Sequence, residues 1–104
     1  MRLFAFHCRD HAGSAALRAE ALAAHLAHIE AHMEHYAVAG PLKEGEATVG
    51  SLLVIRAEDA DEARARFEAD PYVAAGVWES VTSDEFRAVA GEWVGGAAWK
   101  RPAG

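Results

Sequence analysis

Two short segments of this chain are apolar on both of the faces that a strand presents, and this constrains the fold more than any other feature. In Ser51-Leu52-Leu53-Val54-Ile55, Leu53 and Ile55 point one way while Leu52 and Val54 point the other. Residues 2–8 behave likewise, with Phe4, Phe6 and Cys8 opposite Leu3, Ala5 and His7. A sheet built on such strands needs cover on both sides. With 104 residues there is room for one domain only, and the pattern supplies two helices. Both helices cover the same face in a split β-α-β arrangement. The other face would be a large exposed apolar patch, so a second copy packed sheet to sheet is expected, giving a homodimer. The alternative cover is the chain's own tail, with Trp93 and Trp99.

The remaining elements follow from local signals. From Ala15 to about Tyr36 runs an alanine-rich helix, with Ser14 as its expected cap and Leu22, Leu26, Ile29, Met33 and Tyr36 on one stripe. Val38 to Leu42 reads as a strand ending at Gly40-Pro41, and the polar run 43–48 as a hairpin connection. Asp59 and Glu62 form a capping box for a second helix that reaches about Ala69. Asp70-Pro71 stops it, because the residue before a proline leaves helical geometry. Gly76–Val81 and Glu85–Val89 read as two further strands, and a tail of glycine and alanine starts at Gly91. The expected fold is therefore α+β and ferredoxin-like, with an antiparallel sheet, one domain over 1–90 and a tail over 91–104.

Composition excludes several classes of function. The charges are mixed and sum to −6, which argues against a nucleic-acid or anionic-membrane partner. One cysteine, Cys8, permits no intramolecular disulfide, fits a reducing compartment, and reads as a small buried hydrophobe. The N-terminus lacks the apolar core of a signal peptide and no stretch would cross a bilayer, so a cytoplasmic setting is expected. No phosphate loop, nucleotide fingerprint or serine-hydrolase elbow is present, and no cofactor is implied.

Chemistry gathers on the first helix, which carries His25, His28, His32 and His35. Taking His25 as zero, these lie at about 0°, −60°, −20° and −80° around the axis, with Arg18 within about 20° of His25. Arg18, His25 and His32 thus form a ladder on the rim of the buried face. The stripe has three readings. It can be a plain polar flank. It can be a metal site on His28 and His32, four residues apart but without a third ligand at clear spacing. Or His25 can be an acid–base group, which requires an orienting partner. Asp70 is the candidate, a negative charge at the unfavourable end of the second helix; its plain alternative is a helix-stop residue.

Four ordered motifs resemble the YciI-like (YCII-related) family: Arg18 with His25-Leu26, Ala39-Gly40-Pro41-Leu42, Gly50-Ser51, and Asp70-Pro71-Tyr72-Val73-Ala74-Ala75-Gly76-Val77. The resemblance spans residues 1 to about 89. It implies a ferredoxin-like dimeric α+β barrel with a His-Asp pair suspected of an enzymatic role, here His25 and Asp70. Related barrels carry several chemistries, so the fold selects none. The histidine cluster and the tryptophan-bearing tail depart from the family pattern. The resulting expectation is acid–base chemistry of lyase, isomerase or dehydrohalogenase type on a small organic acid or cyclic oxygenated compound. Arg18 would attract a carboxylate, and Ser51, Gly40 and Tyr72 would shape the pocket. Ser51 reads equally as a turn residue, Tyr72 as a core residue, and His7 as an interface one. A non-catalytic metabolite-binding or accessory dimer is the alternative.

Overall fold

The computed structural model describes residues 1–100; the last four residues of the expected tail lie outside the described residues. The chain runs β1 (Arg2–Asp10), α1 (Ser14–Ala31), β2 (Tyr36–Glu44), β3 (Ala47–Ala57), α2 (Ala60–Glu68), α3 (Pro71–Ala74) and β4 (Trp78–Phe86). The four strands form one antiparallel sheet in the order β2-β3-β1-β4, which is the ferredoxin-like topology. A small hairpin, β5 (Ala90–Gly91) with β6 (Gly96–Ala97), follows.

Register decides which side chains reach the core. Phe4, Phe6 and Cys8 sit opposite Ile55, Leu53 and Ser51, so these residues share the helix-covered face. The core beneath α2 joins Phe4, Phe6, Leu53, Ile55, Ala57, Ala63 and Phe67, and the Phe6 and Phe67 rings stack at 4.6 Å. Burial pushes the Cys8 thiol up to about 12, which keeps it protonated and unreactive. Gly50 is required by close approach: a Cβ there would lie 2.1 Å from the Cys8 carbonyl oxygen.

Helix starts differ in mechanism. The α2 box forms as its spacing implies, with the Glu62 N–H donating to Asp59 Oδ1 at 2.9 Å. Its return bond comes from Glu58 N–H to Glu62 Oε1 at 3.0 Å, one residue further back than the usual box. Ser14 does not cap α1. It is the first helical residue, 1% exposed, and its hydroxyl accepts from His11 N–H and donates to the Val77 carbonyl. The serine thereby pins the helix start to the chain entering β4.

Three other expectations are corrected. The two strands read at 76–81 and 85–89 are one, Trp78–Phe86, because β1 offers a continuous backbone ladder that overrides the polar Thr82-Ser83-Asp84. The long helix ends at Ala31, a tight 3₁₀ turn covers Met33–His35, and Tyr36 already pairs with Ile55 in the sheet. Asp70 does not lie uncompensated at a helix end: it is the N-cap of α3, accepting the Tyr72 N–H at 2.9 Å.

The apolar stripe of α1 is not buried along its length. Leu22, Leu26 and Met33 are 46%, 50% and 57% exposed. The facing residues of β2, Ala39 and Pro41, are too small to fill the space beneath the helix, and an open cleft of about 270 Å³ results. On the opposite sheet face, Leu3, Leu52, Val54 and Phe86 line a groove of about 570 Å³ that is walled by the hairpin residues Trp93 and Val94. The hairpin leaves Trp93 86% exposed. Among the described residues no helix is long and apolar enough to cross a membrane.

Gly50→Ala is expected to lose about 2–3 kcal/mol in urea unfolding, the upper part of the usual range of about 1–3 kcal/mol for overpacking, since backbone rather than a side-chain tip must move. A loss below about 0.5 kcal/mol would contradict the close approach.

Candidate functional site

The cleft lies between α1 and the β2–β3 half of the sheet, closed at one end by α3. Arg18 and His25, seven residues apart, bring two turns of α1 to it, and β3 contributes Ser51 and Leu53. Its walls are mainly aliphatic, with Leu22, Leu26, Ile29 and Leu53 around one polar end.

At that end the structure brings together the two residues singled out from the sequence. His25 Nδ1–H donates to Asp70 Oδ1 at 2.7 Å, with side-chain exposures of 14% and 0%. A carboxylate only accepts, so this contact fixes the proton of the neutral imidazole on Nδ1 and leaves a lone pair on Nε2. Asp70 Oδ2 is buried and accepts no hydrogen bond from the described residues. Two local causes put Asp70 there. Pro71 at the first position of α3 fixes the backbone, and the α3 N–H of Tyr72 holds Oδ1.

Tyr72 lies flat against His25, with centroids 3.8 Å apart and planes 1° apart. It is both a buried residue, 3% exposed, and a wall of the cleft, so the two readings of it coincide. Burial raises its phenol above the ordinary tyrosine value, which removes it as a base near neutral pH.

Arg18 behaves differently from expectation. It does not stand free for a substrate carboxylate. Its Nε and Nη2 donate to Asp10 Oδ2 and Oδ1 at 2.7 and 2.9 Å, and Nη2 also reaches Gly50 O at 3.0 Å and Ser51 Oγ at 2.9 Å. The bond to Asp10 is the main reason its guanidinium is held above the usual arginine value. Asp10 was missed because it reads as part of a turn after β1. The available signal was the rule that a half-buried arginine needs a counter-charge.

Gly40 contributes backbone alone. It pairs with Leu52, so by register an added side chain would point to the outer face, while its neighbours Ala39 and Pro41 face the cleft. Its φ is not positive and a Cβ would meet nothing within 4 Å.

His28, His32 and His35 lie apart from this site, around a smaller hollow with Glu62 and Arg66. His32 Nδ1–H donates to the His28 carbonyl at 2.9 Å. Among the described residues no three His, Cys, Asp or Glu side chains gather as a metal-binding group. Burial, ahead of all other causes, lowers His28 below its ordinary value. His7 belongs to the outer-facing set of β1, opposite Leu52.

The model of the YCII-related domain matches residues 2–87. Among solved structures, the chain is similar to the 5-chloro-2-hydroxyhydroquinone dehydrochlorinase of Burkholderia phenoliruptrix AC1100, solved in complex with 2,5-dihydroxybenzoquinone. The two are 29% identical with a TM-score of 0.74, over 86% of this chain and 96% of that one. No curated protein matches the chain.

The depressed His28 gives a stability prediction with a definite sign. The unfolded chain takes up a proton near the ordinary histidine value while folded His28 resists it, so stability falls as pH drops through about 6.5. The loss in melting temperature between pH 7.5 and pH 5.5 is expected to be smaller in His28→Gln than in the wild type. Equal losses would show that His28 carries none of it.

Proposed function

The chain belongs to the YCII-related family, and we propose on that premise that it is a small acid–base enzyme eliminating a hydrogen halide from a hydroxylated ring. The observation that carries this reading is the 2.7 Å contact that fixes the proton on His25 Nδ1 and frees Nε2 at the edge of an aliphatic cleft. The solved dehydrochlorinase, similar over most of both chains, supports the reaction class.

The charge balance of the cleft selects within the substrate class. Arg18 is neutralised by Asp10, and Asp70 adds a second negative charge beside His25. Such a site offers little net attraction to a substrate carboxylate. A ring whose hydroxyl groups are un-ionised fits it better, with aliphatic walls for the ring faces.

In the proposed reaction His25 Nε2 takes the proton of a ring hydroxyl and delivers it to the ring carbon that bears the halogen. Loss of a proton from a second, conjugated hydroxyl then expels halide with its bonding pair. The ring rises to the quinone level while the carbon–halogen bond becomes carbon–hydrogen. One molecule of hydrogen halide is lost in total, with no external oxidant. Asp70 stabilises the imidazolium formed in each transfer and keeps the ring in plane. Ser51 and Tyr72 shape the polar end, and the Gly40 backbone borders it.

We also assign the outer sheet face to a second copy in a homodimer, since Leu3, Leu52, Val54 and Phe86 would otherwise line an open groove. The free thiol of Cys8 suits a reducing, cytoplasmic setting.

Incubation with 5-chloro-2-hydroxyhydroquinone is expected to release chloride, with kcat reduced roughly 10²- to 10⁴-fold in His25→Gln, the usual size of a general acid–base contribution. Asp70→Asn should cost about a hundredfold with little change in KM. Tight binding of 2,5-dihydroxybenzoquinone without turnover of any halogenated or hydroxylated ring would instead favour a binding protein. Chloride release that survives His25→Gln would end the acid–base assignment.

A further inference from the structure

We propose that Asp10 is a positioning residue for His25, acting through Arg18 and Tyr72 without itself meeting the cleft. The links are consecutive contacts. Asp10 grips Arg18 with both carboxylate oxygens, at 2.7 and 2.9 Å. The Arg18 guanidinium carbon lies 5.3 Å from the centroid of the Tyr72 ring, over its face. Tyr72 in turn stacks on the imidazole at 3.8 Å. The Nδ1 edge of the imidazole meets Asp70. Anion, cation, aromatic ring, imidazole and anion thus follow one another without a gap.

Two features separate this from an ordinary structural ion pair. First, the pair is largely buried, with side-chain exposures of 7% for Asp10 and 15% for Arg18, where a charge left alone is costly and geometry is held tightly. A fork-on-carboxylate contact adds direction as well as attraction, so Arg18 has one pose. Second, the sheet register slips between Arg9 and Asp10, and such irregularities are used where a strand must re-aim a side chain. The pose of Arg18 then decides where the Tyr72 ring sits, since a cation over an aromatic face is attractive only over that face. Beyond its backbone N–H bond to Asp70, the Tyr72 ring makes a T-shaped contact to Trp78 at 5.8 Å, and its hydroxyl makes a long 3.5 Å approach to Arg18 O and interacts with the Arg18 side chain. Stacking alone lets a ring slide in its plane. The guanidinium restricts the slide, and with it the tilt of His25.

The structural half of this inference is independent of the reaction; its kinetic half rests on the acid–base reading above. The structural test is the proton spectrum of His25. In the wild type, the Tyr72 ring stacked on the imidazole is expected to displace Hδ2 and Hε1 upfield. In Asp10→Asn that displacement is expected to shrink, moving both resonances toward their random-coil values while the amide pattern of the sheet is retained. Arg18→Met, which keeps the bulk of the side chain without the charge, should produce the same loss and serves if Asp10→Asn does not fold. Resonances that stay at their wild-type positions in either folded variant overturn the proposal. Where chloride release is measurable, Asp10→Asn lowers kcat about tenfold with KM within about twofold, as a misplaced catalytic group would. A rise in KM with kcat intact also overturns it. Absence of turnover in the wild type would refute the reaction and leave the spectral test to decide the positioning role alone.

Discussion

The fold is organised around a carboxylate that water cannot reach. Asp70 is 1% exposed, and a charge so placed has to be paired or bonded for the structure to stand. Its first oxygen takes two partners from different parts of the chain, the N–H at the start of α3 and the imidazole of α1. Those two bonds tie the long helix to the short one at a single atom. They set the height of α1 above the sheet, and they do so at its middle. The helix start is tied separately by the buried Ser14 hydroxyl. Between and beyond these anchors the β2 side chains that face the middle of α1, Ala39 and Pro41, are small. The cleft is the consequence.

The second buried carboxylate, Asp10, plays a matching role toward Arg18. Two anions, one permanent cation and one titratable ring are thus enclosed within a few ångströms, and protonating His25 brings the four groups to neutrality. A site with that composition stabilises an imidazolium as it forms, which is what proton shuttling asks of it. It also holds no spare positive charge, which is the ground on which the proposed function prefers an uncharged hydroxylated ring to an organic acid. Burying these groups costs the fold stability that an aliphatic replacement would return. The same holds for the exposed leucines of α1, which line the cleft and gain little from the core beneath α2.

Much of this was legible in the sequence, for identifiable reasons. Alternation in residues 2–8 and 51–55 revealed both faces of the two central strands, because period-two patterning survives any tertiary context. The helical phase of Arg18 and His25 placed them on one rim, and family motifs joined Asp70 to them. Other features had signals that were read in only one sense. Asp-Pro at 70–71 ends one helix, but an aspartate followed by proline is also an N-cap and first residue for the next, and here it is both. The polar run Thr82-Ser83-Asp84 suggested a break, whereas an edge strand with one paired side and one wet side needs no apolar alternation to persist. Asp10 had no local signal at all, since its partner is eight residues away and its burial depends on the packing of α1.

The apolar stripe of α1 shows where periodicity stops being informative. A 3.6-residue period states that a helix has an apolar face; it does not state that the face meets a wall. In this chain the facing strand carries Ala39 and Pro41 toward α1, and its glycine turns the other way. Small residues opposite a stripe of leucines leave a volume that neither element fills. That mismatch is readable only when strand register and helix phase are considered together. Where the unfilled volume also contains an oriented imidazole, as it does beside His25, the proposed acid–base function gives the packing defect and the chemical group one account: the space is left for a molecule that completes the hydrophobic contact when it binds.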